Sequence, residues 1–316
     1  MANSVNGREQ GAGNTEQGTA RERGANIPEW STWPAPAKLN LFLRIVGRRA
    51  DGYHLLQTVF RLLEWGDEIR LRVREDDEIV RVAGAQSVSA EDDLAVRAAR
   101  TLQRVTGTQF GAEIAVTKRI PIGAGLGGGS SDAATVLVAL NALWKTGLPR
   151  ERLAEIGSGL GADVPVFVHG RNAWAEGIGE RLTPLELPQR WYLLVVPRVH
   201  VSTAELFQAP ELTRNAEPAT MSGFVSGTIE DNAFEPVVRA RFPQVAAALD
   251  WLRQFGVARL SGSGGAVFLE CEDEARVREI AMRCPAEFTV IVAQGVNVSP
   301  LDEAFGRMRM IRKRIE

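Results

Sequence analysis

Between residues 122 and 131 the chain reads Ile-Gly-Ala-Gly-Leu-Gly-Gly-Gly-Ser-Ser, and Asp132 follows. Each glycine costs backbone entropy and returns no side-chain packing, so five in ten residues need a purpose beyond stability. The apolar run Ile114-Ala115-Val116 before the stretch reads as a strand, and Ala133 to Trp144 after it reads as a helix. Strand, glycine loop and helix start in that order bring inward-pointing amides to a helix N-terminus, a natural cradle for phosphate. The alternative is a glycine-rich turn, but a turn needs only one or two such residues.

Two well-known phosphate loops fit poorly. Gly123, Gly125 and Gly128 satisfy a bare G-x-G-x-x-G. A dinucleotide site also wants an acidic residue about 20 positions on, closing a second strand. Gly147-Leu148-Pro149-Arg150 stands there instead. The common P-loop needs a lysine where this chain has Gly129. The loop is therefore expected to bind phosphate without a lysine of its own.

A length of 316 residues suggests two domains or one large one. A net charge of −2 offers no general nucleic-acid surface. No 18-residue apolar run is present, so no membrane span is expected. Residues 1–30 are polar and read as a flexible tail. Cys271 and Cys284 have no metal-ligand spacing and read as free cytosolic thiols. His54, His169 and His200 show no ligand spacing either, so no protein metal site is expected.

Further along, Leu39 to Ile45 reads as a strand and Asp51-Gly52 as a turn. Glu68 to Arg74 alternates like a half-exposed strand. Asp93 reads as the cap of a helix through Val105, with Leu94, Ala98, Leu102 and Val105 on its apolar face. A second glycine-rich segment, Gly157 to Asp163, leads into Val164 to Val168, which reads as a buried strand. A domain change is expected near Thr183-Pro184, giving a nucleotide domain over 31–183 and a substrate domain over 184–316. Residues 208–230 read as an irregular surface stretch. Strands and helices alternate without a steady βαβ repeat, so the expected class is α+β.

Three segments can carry chemistry. Asp163 sits at the lip of an apolar run, a suitable place for a general base, although a solvated carboxylate is the plainer reading. Lys38 lies among apolar neighbours and can face a cleft rather than solvent. Paired, the two would keep the carboxylate ionised and favour loss of a substrate hydroxyl proton. Tyr53-His54 follows the Asp-Gly turn, where a ring can stack and an imidazole can reach a base edge. The plainer reading is a loop anchored to the core. Ser261 and Ser263, in Ser-Gly-Ser-Gly-Gly, fit a tight turn or a phosphate clasp equally.

These residues fall in a pattern. Residues 33–300 resemble the small-molecule kinase superfamily that includes galactokinase, homoserine kinase, mevalonate kinase and phosphomevalonate kinase. The blocks are Pro34-Ala-Pro-Ala-Lys-Leu-Asn-Leu-Phe-Leu43, Arg49-Ala-Asp-Gly-Tyr-His54, Pro121 to Ser131, Leu160-Gly-Ala-Asp-Val-Pro-Val-Phe167, Leu260-Ser-Gly-Ser-Gly264 and Gly295-Val-Asn-Val-Ser-Pro300. The glycine loop alone marks the superfamily. The first and the Asp163 blocks together resemble its branch acting on a cytidine-diphosphate-linked methylerythritol in non-mevalonate isoprenoid synthesis.

The resemblance implies a two-domain fold and transfer of the ATP γ-phosphate, with Mg²⁺, to the substrate's 2-hydroxyl. It makes Asp163 and Lys38 catalytic. Pro121, Gly123, Gly125, Leu126, Gly127, Gly128, Gly129, Ser130 and Ser131 match the ATP loop. Asn40, Tyr53, His54, Thr203 and Phe207 match substrate contacts, with Tyr53 and His54 at the cytosine end and Phe207 as the opposing wall. Asp132 stands where relatives often have Asn, and either caps the helix or faces Mg²⁺. The expected partner is a small-molecule substrate carrying a cytidine diphosphate group, with no nucleic-acid or membrane partner, and the expected setting is cytoplasmic, as a monomer or homodimer. The rival expectations are another kinase of the superfamily, or a non-catalytic nucleotide-binding module.

Overall fold

The computed structural model describes residues 29–315, with side chains through residue 307. The expected flexible tail lies outside the described residues except for its last two positions. Strands β1 (Ser31–Arg48) and β2 (His54–Arg74) form a long antiparallel hairpin, followed by β3 (Ile79–Ala83), α1 (Leu94–Thr106) and β4 (Gly111–Thr117). Then come α2 (Gly128–Leu143), α3 (Arg150–Ser158), α4 (Val164–His169), β5 (Ala173–Glu176) and β6 (Arg181–Pro184). The second half holds β7 (Trp191–Pro197), α5 (Thr203–Gln208), α6 (Met221–Val225), α7 (Glu235–Arg241) and α8 (Pro243–Leu252). It ends with β8 (Ala258–Leu260), β9 (Val267–Cys271), α9 (Glu274–Ala281), β10 (Phe288–Val296) and α10 (Pro300–Ile315).

The main path through the sheet runs β3-β4-β2-β10-β7-β9-β8, with β1 and β5 also on β2 and β6 on β5. Only β3 and β4 run parallel among these pairings. That is the α+β class expected from the irregular order of elements. One apolar core packs α1 to α4 on β2 and β4, and another packs α5, α7, α8 and α9 on β7 to β9. A third lies between β1, β7 and β9. Helix α10 returns to the first core, where the Phe305 ring packs against Trp33 with centroids 4.6 Å apart and planes tilted by 34°, and Leu301 is buried.

Local sequence explains the elements that matter for the site. Asp93 caps α1 by accepting from the Ala95 amide at 3.0 Å, and Gly107 closes it in the left-handed region. Val105, expected on the buried face, is exposed. Helix α2 is apolar on every side and buried from Ser131 to Leu140, as a central core helix must be.

Two boundaries differ from expectation. Helix α2 begins at Gly128, inside the glycine stretch, so Ser130, Ser131 and Asp132 belong to the first turns. The expected strand Val164 to Val168 is helix α4. A short, wholly buried apolar run has no periodicity to separate strand from helix. Pro165 is tolerated in a helix's first turn, and Gly170 at φ +67° terminates it.

Candidate active site

Strand β1 pairs with β2 on one side and is met on the other by the glycine loop, where the Lys38 amide donates to the Leu126 carbonyl at 3.0 Å. Its free edge accommodates Pro34 and Pro36. Register shifts at Pro36/Lys38 and between Asn40 and Leu43 kink the strand on either side of Lys38 and Asn40. Bulges of this kind re-aim side chains beside active sites. As alternate residues, Lys38 and Asn40 face the same side.

Lys38 is only 3% exposed, yet its ammonium is fully partnered. It donates to Asn40 Oδ1, to the Gly125 carbonyl at 3.0 Å, and pairs with Asp163 Oδ2 at 3.3 Å. A buried cation is tolerated only with such partners. Asn40 is held in turn by Thr58, whose Oγ1 accepts from Asn40 Nδ2 at 3.0 Å. Asp163 precedes α4 at its N-cap position, but its carboxylate makes no capping bond. It faces Lys38 instead and stays 33% exposed, open to a ligand. The expected pair is therefore formed, with Asp163 at a helix start rather than a strand lip.

A cavity of about 910 Å³ opens in front of this pair. Lys38, Asn40, Tyr53, His54, Asp163, Thr203 and Phe207 all line it. At one end Thr203 Oγ1 lies 2.6 Å from Ser263 Oγ. Elsewhere the His54 ring stacks on Phe207, with centroids 4.9 Å apart and planes 24° from parallel. Tyr53 is 60% exposed, so it is no core anchor. The Arg49–Tyr53 turn that presents it is tied by Gly52 N–H to Arg49 O at 3.0 Å and by Tyr53 N–H to Asp51 Oδ1 at 3.2 Å.

A second cavity, of about 260 Å³, lies across the loop. Pro121 to Gly129 line it with Leu94, Lys118 and Asp132. Gly125 and Gly127 line both cavities, so the loop is the partition between them. Their glycine identity is required. Gly125 is at φ +78°, and a Cβ there would sit 2.2 Å from the Ser261 carbonyl. Gly127 is at φ +75°, and a Cβ would come within 2.8 Å of the Phe167 ring and 3.1 Å of Lys38 Cε.

The loop's hydroxyls are placed differently from expectation. Ser131 is fully buried, and neither Ser130 nor Ser131 lines the smaller cavity. Ser261 donates to the Gly125 carbonyl at 3.1 Å and so clamps the loop from below. Its turn is a structural clasp. The loop, lacking its own lysine, is flanked by two: Lys38 on one side and Lys118 on the other. Lys118, Thr58 and Arg214 were not legible as site residues from sequence. Only the adjacency of Lys118 to β4 and the loop hinted at a role.

Lys118 lies between two carboxylates, 2.5 Å from Asp67 Oδ2 and 2.7 Å from Asp132 Oδ2. Asp67 also accepts from the Arg119 and Ile120 amides at 2.5 and 2.8 Å, which fixes the approach to the loop. One ammonium cannot neutralise two buried carboxylates. Burial, only partly offset by Lys118, pushes the Asp132 carboxyl up to about 7. In the unfolded chain it titrates near 3.8. The folded state thus holds a proton the unfolded state has released between those values, and stability is lost as pH rises through about 7. Asp132→Asn is expected to raise Tm by roughly 3 °C or more at pH 8. The gain should shrink at pH 5.5. Melting curves at both pH values check this, and an equal gain at both would contradict it.

The loop itself makes a harsher prediction. Gly127→Val places a β-branched residue in the left-handed region against Phe167 and Lys38. ATP affinity should fall at least about tenfold in calorimetry, with a lower Tm in a parallel circular-dichroism melt. An unchanged ATP Kd in a folded variant would move phosphate binding elsewhere.

Two clefts share a glycine partition, with a paired lysine and aspartate on one side, an arrangement suited to a small-molecule kinase. Comparisons with known proteins agree. The model of the GHMP kinases N terminal domain matches residues 93–171, and that of the GHMP kinases C terminal region matches 204–289. A 4-diphosphocytidyl-2-C-methyl-D-erythritol kinase of Xanthomonas campestris pv. campestris (strain B100) is 57% identical over 287 residues, 90% of this chain and 97% of that protein. The crystal structure of a 4-(cytidine 5'-diphospho)-2C-methyl-D-erythritol kinase superposes with a TM-score of 0.71 at 34% identity, over 84% of this chain and 99% of that one. A homoserine kinase from Cytophaga hutchinsonii, 18% identical, shares the fold with a TM-score of 0.64, covering 86% and 96%. The chain belongs to the 4-diphosphocytidyl-2-C-methyl-D-erythritol kinase family of the GHMP kinases.

Proposed function

We propose that this chain transfers the γ-phosphoryl group of ATP to the 2-hydroxyl of 4-diphosphocytidyl-2-C-methyl-D-erythritol. The observation that carries the reading is the shared partition: Gly125 and Gly127 face both cavities, and Lys38, paired with Asp163 in the larger one, donates to the Gly125 carbonyl of that partition. A triphosphate cradled by the loop and the start of α2 presents its last phosphoryl group to the larger cavity. Phosphoryl transfer needs positioning and neutralisation more than covalent chemistry. Lys38 supplies a fixed positive charge at the partition. Asp163, oriented by Lys38, accepts the proton of the attacking hydroxyl. Tyr53, His54 and Phe207 form the aromatic end that receives the base. Thr203 and Asn40 contact the polar body between.

Kinases of this fold use a nucleotide that carries Mg²⁺. Among the described residues no three His, Cys, Asp or Glu side chains gather as a ligand set. The site fits an ion coordinated mainly by phosphates and water, which needs one or two protein oxygens. Asp132 Oδ1, buried without a hydrogen-bond partner at the start of α2 in a residue that lines the smaller cavity, is of that kind and would hold it. Bound there, the ion would neutralise charge on the phosphate oxygens.

The test is a coupled ADP-release assay with the cytidine-diphosphate substrate, mevalonate, phosphomevalonate and homoserine compared side by side. The reading expects turnover only with the first. Comparable kcat/KM for another member of the panel would overturn it. Among the described residues no helix is long and apolar enough to cross a membrane. Cys271 and Cys284 are free thiols, and burial pushes the Cys284 thiol up to about 11.

A further inference from the structure

Arg214 lies in the irregular stretch after α5, and it lines the larger cavity with no carboxylate partner among the described residues. Its guanidinium is nevertheless fully engaged in orientation. Nη2 donates to the Phe207 and Ala209 carbonyls at 2.9 and 2.7 Å, and Nη1 to the Leu212 carbonyl at 2.9 Å. The Phe207 and Ala209 carbonyls lie at the end of α5, where a helix leaves carbonyls without partners. Arg214 thereby holds the segment that carries the Phe207 ring. Its remaining contact is different in kind: Nε lies 3.2 Å from His54 Nε2. One residue thus positions both stacked rings, His54 and Phe207.

The contact has a chemical consequence. A guanidinium is always protonated and has no acceptor, so it can only donate. His54 Nε2 must therefore present a lone pair, and the ring proton must sit on Nδ1. An imidazolium would set N–H against N–H. Burial, with Arg214 and then Arg48 nearby, lowers the His54 pKa in the same sense. His54 Nδ1 has no hydrogen-bond partner among the described residues. The ring is therefore a neutral, donor-only group at Nδ1, in a cavity whose aromatic end receives a base.

We propose that Arg214 is a positioning residue for base selectivity, because it locks His54 in the Nδ1–H tautomer. Resting on the cytidine-diphosphate reading above, the proposal adds the reason cytosine is preferred. Cytosine N3 carries a lone pair and accepts from Nδ1–H. Uracil N3 carries a hydrogen, which would face that donor and leave both unpaired. With the tautomer free to exchange, the imidazole would serve either pyrimidine.

Two measurements on the full-length chain test this. The first is nitrogen-15 NMR of histidine-labelled protein. His54 is one of three histidines, and its signals are assigned by their loss in His54→Ala. The expected result at pH 7 is an unprotonated Nε2 and a protonated Nδ1. A protonated Nε2 overturns the proposal, and because this measurement uses the native chain it decides the matter even if substitutions at Arg214 unfold. The second is the ratio of kcat/KM for cytidine and uridine versions of the substrate. Arg214→Met should lower that ratio at least about tenfold and leave the KM for ATP unchanged. Arg214→Lys keeps the charge but cannot bridge His54 and the α5 carbonyls, so it should lose the ratio as well. Wild-type selectivity in the folded methionine or lysine variant would overturn the proposal. If the native enzyme phosphorylates neither version, the function on which selectivity rests is overturned, and the tautomer result stands apart from that failure.

Discussion

Asp163→Asn is expected to lower kcat by roughly 10²–10⁴-fold while ATP still binds. The substitution keeps the volume and one hydrogen-bond acceptor but removes the carboxylate proposed to take the hydroxyl proton. Its partner Lys38 keeps its contacts with Asn40 and the Gly125 carbonyl, so the partition should survive. Asp163 is a third exposed and makes no capping bond, which limits the stability cost. Steady-state turnover with calorimetric ATP titration checks this. A kcat within threefold of the native enzyme would end the general-base assignment. Lys38→Met is the companion: a fall in kcat at similar KM assigns the ammonium to the transition state, and a rise in KM alone assigns it to ground-state binding.

The second large effect concerns the base. Replacing Tyr53 and His54 together by Ala should reduce kcat/KM for the cytidine substrate by roughly 10- to 10⁴-fold, with little change in ATP affinity. Stacking of a base on an aromatic is worth about 1–3 kcal/mol. An unmatched polar contact adds about as much. The alternative is that the pair anchors a loop, in which case the variant loses stability and keeps its selectivity. The exposure of Tyr53 argues against that, since truncating a surface ring costs only about 0.5 kcal/mol. His54 packs on Phe207 and its loss is expected to lower Tm modestly. Base preference, measured in the folded variant, separates the two accounts: unchanged discrimination between cytidine and uridine substrates would retire the pair from recognition.

The parts of this site that were legible in the sequence share one property. Their chemistry is written in contiguous residues. Gly123 to Gly129 could hardly serve anything but a loop whose backbone approaches another group closely, and Asp93 before an amphipathic run marks a helix start. Lys38, Asp163 and the Tyr53-His54 pair were legible through local context and resemblance, and the structure gathers all four around one cavity.

What was not legible depends on distant partners. Val164 to Val168 read as a strand because burial on every side erases periodicity, and the tertiary setting chose a helix. Helix α2 starts earlier than its composition suggests because glycines and serines are poor helix formers stabilised there by the surrounding core. Ser131 and Ser261 looked alike as hydroxyls in glycine context. One proves buried without a partner, and the other clamps Gly125 across 136 residues. Arg214 sits in a stretch of Pro, Asn and Thr with no pattern of its own, and its role exists only once the chain brings it to His54, 160 residues away.

The central claim is that phosphate crosses the glycine partition to a hydroxyl of the cytidine-diphosphate substrate. Phosphorus-31 NMR of the reaction tests it most directly, because it separates transfer from mere ATP hydrolysis. The account predicts a new phosphomonoester signal that grows with ADP, while the substrate's own diphosphate signals persist. ADP accumulating with inorganic phosphate and no new monoester would contradict it.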